Sequence, residues 1–177
     1  MKQFTDAVLL AIDQRNYTAA LFISLSLPDI CVRLEAVTGV RPGRSKYMAW
    51  FETYMGRYYT KAIGYPPEVH AFMTGEDCYA LRCALLHSGR TQIDDDKVKT
   101  TLEKIHFTAV EGMHCNQLYG ALQIDVAIFC RQLCSGVLEW EQTFRSHFPE
   151  EQHRIDELLT VHIDRFVVDG FHIDPPS

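Results

Sequence analysis

Apolar residues along the first sixty positions recur with a helical period. Phe4, Val8, Ala11 and Ile12 fit one face of a first helix, and Leu21, Leu25, Ile30, Leu34 and Val37 fit a second, which Pro28 should kink or interrupt. The stretch VTGVRPGRS breaks this pattern, and Ser45 is a candidate N-cap for a third helix through Trp50, Tyr54 and Tyr58. Gly64 and Pro66-Pro67 should end that element. The strongest local signal follows: Thr74 with Asp77 three residues later has the spacing of a capping box, so a helix of about Glu76 to His87 is predicted, stopped at Ser88-Gly89. Asp94-Asp95-Asp96 reads as a solvated loop.

Two hairpins are predicted further on. KIHFTAV-EG-MHCNQL has the alternation and central glycine of one, with a helix as its alternative. At the C-terminus VHIDRFVV-DG-FHID, about 161–174, is the better one, because Asp169-Gly170 is a preferred two-residue turn. That turn sets Val168 against Phe171 and Phe166 against Ile173, with Arg165 in reach of Asp174. Between them QIDVAIFCRQLCSGVLEWEQTF reads as a long amphipathic helix with Ile124, Ile128, Leu133, Val137 and Trp140 in one stripe. The fold class predicted is mainly α, a helical bundle with one or two small β-hairpins, in a single domain over 1–177.

Composition narrows the class without changing that picture. At 177 residues and 47% hydrophobic, the chain has enough apolar content for a core without disulfides or a structural metal. Asp6 and Asp13 interrupt the apolar stretch at the start, so no signal peptide is expected, and no apolar run approaches the roughly 20 residues of a membrane span. A cytoplasmic protein with no membrane association is expected, its six cysteines reduced and packed as small core residues. A net charge of −6 disfavours non-specific contact with a nucleic acid backbone over most of the surface. The nearest basic cluster, Arg41, Arg44 and Lys46, is too small for a patch.

Phosphate-binding glycine loops, nucleophile elbows and zinc-type spacings are absent. Metal readings of the repeated His-Ile-Asp at 162–164 and 172–174, or of Cys130 and Cys134 with His114 and Cys115, are weaker than core or surface roles, so no metal and no cofactor are expected. The aromatic run Tyr47, Trp50, Phe51, Tyr54, Tyr58 and Tyr59 has helical spacing, which favours core packing over base stacking.

What remains is Arg82 and His87. Arginine offers a permanently charged fork for phosphate oxygens and histidine exchanges protons near neutral pH, so the two together suffice for RNA cleavage without a metal. On an ideal helix, five residues are a rotation of about 140° and a rise of about 7.5 Å, so the pair does not share a face; a site forms if Arg82 reaches along the helix with its long stem and His87 sits at a frayed end, or if a two-fold axis brings a second copy of each into one cleft. A Cys83-His87 nucleophile pair has the right spacing but no oxyanion donor in view.

The helix EDCYALRCALLHSG, with an acid ahead of an Arg-x4-His pair, an aliphatic stripe and a small residue after the histidine, resembles the motif helix of the HEPN superfamily. The resemblance implies a helical bundle, a homodimer with the site at its interface, and metal-independent cleavage of single-stranded RNA to a 2′,3′-cyclic phosphate, in a stress or phage-defence setting. Arg82 and His87 carry over as catalytic positions, with Asp77 and Cys83 as accessory candidates. Cys83 departs from the polar residue common after the arginine in active members, and Gly89 stands where some relatives carry a modifiable tyrosine. Two alternatives stay open: a non-catalytic HEPN-like module binding RNA, a nucleotide or a protein partner through the same helix, and a structural interaction protein in which Arg82 and His87 are only pairing groups.

Overall fold

The computed structural model of the chain describes residues 1–36, 42–88, 103–110, 112–158, 166–168 and 171–173, with backbone alone at 87–88, 166–168 and 171–173. Its architecture is mainly α with small β elements. Helix α1 (Lys2–Asp13) turns at Arg15, whose φ is +58°, into α2 (Tyr17–Glu35), which the Asn16 side chain caps by accepting from Ala19 N at 3.2 Å. Helices α3 (Arg44–Tyr54) and α4 (Gly56–Tyr59) follow, then α5 (Gly75–Cys83), the long α6 (Val126–His147) and the short α7 (His153–Asp156). Helix α2 lies at the centre, packed against α1, α3, α5 and α6.

Pro28 does not interrupt α2. It removes one helical hydrogen bond, which costs about 3 kcal/mol. The same helix buries Leu25, Leu27, Cys31, Val32 and Leu34, and a fully buried Leu or Val returns about 1.5–3 kcal/mol. Burial therefore outweighs the proline. By length and composition alone α2 is long and apolar enough to cross a membrane, although polar residues such as Ser24, Ser26 and Asp29 interrupt its apolar run.

Helix α3 starts one residue before the expected cap: Gly43 occupies the N-cap and Ser45 lies inside the helix. Gly64 and Pro66-Pro67 do not merely end a helix. They form the loop of a hairpin, β1 (Thr60–Ile63) against β2 (Glu68–Ala71), with Ile63 opposite Glu68 and a cis Tyr65–Pro66 bond. Both strands are exposed along their whole length, so no alternation of buried and exposed residues announces them.

The Glu111-Gly112 hairpin is corrected too. Strands β3 (Ile105–Thr108) and β4 (Asn116–Leu118) do not pair with each other but flank β5 (Ala121–Asp125), which runs parallel to β3 and antiparallel to β4. The turn between β4 and β5 is Tyr119-Gly120, with φ of +52° and +81°, the left-handed pair of a tight hairpin. Leu122 and Ile124 alternate into the core, so Ala121–Asp125 is a strand rather than the first turn of the long helix. Asp125 ends it and caps α6 by accepting from Ile128 N at 2.9 Å. In α6 Leu133, Val137 and Trp140 are buried as the stripe predicts, whereas Ile128 is exposed.

Strands β6 (Phe166–Val168) and β7 (Phe171–Ile173) pair antiparallel with Phe166 opposite Ile173 and Val168 opposite Phe171, the register that a two-residue loop imposes. Arg165 and Asp174, like Val37, Arg41, Gly89 and the Asp94–Asp96 run, lie outside the described residues. Tyr47, Trp50, Phe51, Tyr54 and Tyr59 are core residues, with Tyr58 packed beside them.

Candidate functional site

Helix α5 is fixed at its N-terminus by contacts from two directions. Thr74 Oγ1 accepts from Asp77 N at 3.2 Å while Asp77 Oδ2 accepts from Thr74 N at 2.9 Å and from Thr74 Oγ1 at 2.7 Å, a complete capping box. Glu52 of α3 reaches across to accept from Gly75 N at 2.5 Å, placing a carboxylate on the positive end of the helix dipole. Gly75 itself sits on the backbone of α3: a Cβ there would lie 2.5 Å from the Met48 carbonyl oxygen. Asp77, considered above as an accessory to chemistry, is thus engaged in holding the helix start.

Arg82 lies two turns further on, 18% exposed, and its Nε donates to Asp29 Oδ2 of α2 at 2.6 Å. Glu76, in the first turn of the same helix, bridges to Arg44 of α3. Burial works against the Arg82 charge, but the hydrogen bond and the negative charge of Asp29 outweigh it and hold the guanidinium above its ordinary pKa. Cys83, half-buried, places its sulfur 3.9 Å from Arg82 Nη1.

Tyr79 completes this surface. The guanidinium carbons of Arg44 and Arg82 lie 5.5 Å and 5.9 Å from its ring centre, within cation–π range, and its ring meets Tyr47 edge-on at 5.4 Å. Burial pushes the Tyr79 hydroxyl up in pKa, so it stays protonated at neutral pH. Beneath it Tyr47 donates to the Leu25 carbonyl at 3.1 Å. Among the described residues, Arg44, Arg82, the Tyr79 ring and the carboxylates of Asp29 and Glu76 therefore meet at the junction of α2, α3 and α5.

After Cys83 the winding changes. Residues Ala84–Ser88 form a π turn rather than a continuation of the predicted α-helix. With i→i+5 hydrogen bonds each residue advances less around the axis, and the residue five positions on comes nearly above the first. Backbone position 87 is thereby carried back toward the azimuth of position 82, away from the 140° offset of an ideal helix. The π turn therefore leaves backbone positions 82 and 87 nearer in azimuth than the predicted α-helix does.

A second polar cluster lies near the three-stranded sheet. Tyr59 donates from its hydroxyl to Gln132 Oε1 at 2.7 Å, which turns the Gln132 amide nitrogen toward His114 Nε2, 3.5 Å away. His114 Nε2 is then the acceptor and Nδ1 carries the proton, buried and without a hydrogen-bond partner among the described residues. Burial lowers the His114 pKa, with nearby Lys61 acting in the same sense and Asp125 against it. The ring packs edge-on against Tyr59 at 5.8 Å.

No group of three potential ligands occurs among the described residues, and all six thiols are free. Burial pushes the Cys130 thiol up to about 11 and those of Cys78 and Cys134 up to about 12, so these three stay protonated at neutral pH. Within the His-Ile-Asp repeats, 162–164 and Asp174 lie outside the described residues.

Sequence reasoning missed Asp29, Tyr79 and Arg44 around the motif. Tyr79 is on the motif helix and was legible as a neighbour, three residues before Arg82. Asp29 is 53 residues away in sequence, and no local pattern pairs it with Arg82. No family model matches this chain, nor does any curated protein or solved structure.

Proposed function

We propose that this chain is a HEPN-like, metal-independent endoribonuclease acting as a homodimer on single-stranded RNA, with Arg82 and His87 as its catalytic pair. The observation that carries the reading is the π turn immediately after Arg82, which reduces the angular separation of positions 82 and 87 where the α-helix leaves them apart. In the reaction His87 takes the proton of the 2′-hydroxyl or delivers one to the leaving 5′-oxygen. Arg82 holds the charge that builds on the non-bridging phosphoryl oxygens. The O2′–P bond forms as the P–O5′ bond breaks, leaving a 2′,3′-cyclic phosphate and a 5′-hydroxyl. Tyr79, flanked by Arg44 and Arg82, adds a surface on which a base can stack.

One observation favours the rival reading, a non-catalytic module binding RNA, a nucleotide or a protein partner. Asp29 holds Arg82 at 2.6 Å, so a phosphate must compete with a carboxylate already in place. The deciding experiment incubates the purified protein with a mixed set of single-stranded RNAs in excess chelator. Chelator-resistant cleavage to cyclic-phosphate ends supports the enzyme. Binding without cleavage across all RNAs supports the module, and then Cys83, in place of a polar residue, is the first position to restore.

A further inference from the structure

The hairpin of β1 and β2 stands apart from the rest of the fold. All residues from Thr60 to Ala71 are exposed, Val69 at 79% and the tip Tyr65 fully. A two-stranded hairpin with both faces in water is marginal by itself, and an exposed strand edge is a template for a further strand. The hydrogen bond from Phe72 N to Tyr59 O, 2.8 Å, marks Tyr59 and Phe72 as a hydrogen-bonded pair. Alternation along the antiparallel ladder then makes Lys61–His70 and Ile63–Glu68 the next such pairs. Residues 68, 70 and 72 therefore direct their backbone groups at β1, whereas Pro67, Val69 and Ala71 direct theirs outward at the free edge of β2.

We propose that this free edge of β2 is a self-association surface whose occupant is β2 of a second copy of this chain, antiparallel about a two-fold axis at Val69. The argument is complementarity. In that register Val69 N–H and C=O exchange hydrogen bonds with their own counterparts. The Ala71 N–H meets the Pro67 carbonyl of the partner subunit, and Pro67, having no N–H, ends the ladder on each side. Glu68 falls directly opposite His70 of the partner subunit, and the symmetry makes two such pairs on one face, each an imidazole N–H donor against a carboxylate. On the other face the two Val69 side chains meet.

Alternatives on the hairpin lack this match. A two-fold at Glu68, His70 or Lys61 sets each against its own copy. A two-fold at Ala62 on the β1 edge sets Lys61 against an apolar Ile63. Lys61, across the ladder from His70 and 5.7 Å from the Phe72 ring centre, lies on the face of the Glu68–His70 pairs and adds positive charge beside Glu68. The proposal rests on the function reading above only for the expectation that a dimer forms, and it does not require the Arg82 and His87 site to lie at this interface.

The test is sedimentation of the full chain over a wide concentration range, with substitutions confined to these exposed positions. His70→Glu, which sets two carboxylates across the axis, and Glu68→Lys, which removes the acceptor facing His70, should each weaken the dimer roughly ten-fold or more. The double variant Glu68→Lys with His70→Glu should recover most of the wild-type dimer with the pairs reversed, while circular dichroism and Tm stay unchanged. Val69→Cys should cross-link between copies on mild oxidation where the wild type does not, because facing Cα atoms in a hydrogen-bonded pair are about 5.5 Å apart, within disulfide range. A dimer indifferent to all three changes and without the cross-link overturns the β2 interface but leaves a homodimeric ribonuclease standing. A chain that is monomeric at every concentration overturns it too, and chelator-resistant cleavage by that monomer would show the chemistry surviving without it.

Discussion

The two ends of α5 are held in opposite ways. At the N-terminus side chains answer the backbone donors of Thr74, Gly75 and Asp77: Thr74 and Asp77 cap each other, Glu52 takes the Gly75 N–H, and the missing Cβ of Gly75 lets the helix rest on the Met48 carbonyl. At the C-terminus the α-helix gives way to a π turn, with Arg82 tied to Asp29 of another helix and His87 in the altered winding. One end is built from local hydrogen bonds that fix position, the other from a departure in winding that changes which residues share a face. Departures of this second kind recur where helices carry function, because an i→i+5 turn is less favourable than the α-helix it replaces.

Substitutions at the two ends should separate these roles. The largest effect is expected at the C-terminal end, on rate and not on folding: His87→Ala should lower RNA cleavage by about 10²–10⁴ with Tm unchanged. Arg82→Lys should also be damaging, since a point charge does not reproduce the planar fork. Cleavage by the His87→Ala protein at the wild-type rate would remove the histidine from the mechanism.

At the N-terminal end the effects should appear in stability first. Gly75→Ala forces a methyl group into the α3 backbone, and overpacking of this kind costs about 1–3 kcal/mol, or about 2–4 °C in Tm for each kcal/mol in a chain of this size. Urea denaturation that finds Gly75→Ala as stable as the wild type would mean that α3 and α5 do not approach as described. Thr74→Ala removes the capping hydroxyl and should cost about 1 kcal/mol, leaving the kcat of any cleavage activity intact.

The smallest effect concerns the second polar cluster, and it has a sign. Burial depresses the His114 pKa in the folded state below its unfolded value near 6.5, so between the two the unfolded chain binds more protons. This contribution to stability is present above about pH 6.5 and is lost as pH falls through the folded pKa. Protonated His114 also cannot accept from Gln132, which strains the link to Tyr59. His114→Gln should flatten the acid limb of a Tm-against-pH profile while leaving α5 and its cap untouched. An unchanged acid limb would show that His114 titrates alike in both states.

Much of the fold was legible in the sequence because its signals are local. The Thr74 and Asp77 spacing set the start of α5 since both partners of a capping box lie within one turn. The loop length between Val168 and Phe171 set the register of β6 and β7 for the same reason. Leu133, Val137 and Trp140 marked the buried stripe of α6 because burial there follows helical periodicity. Tertiary structure alone decided the rest. Whether Pro28 breaks α2 depends on how much apolar surface the helix buries against its neighbours, and whether β3 pairs with β4 or β5 depends on which strand carries Leu122 and Ile124 into the core. Asp29 becomes the partner of Arg82 only when α2 and α5 pack, bringing together residues 53 positions apart, and the π turn after Cys83 lies in a segment whose residue types are equally suited to an α-helix. The sequence by itself determined the residues that could carry chemistry, since side-chain type and local hydrogen bonding travel with the chain. Their relative orientation was decided by long-range packing, because small differences in burial energy select among windings and pairings that local preference leaves nearly equal.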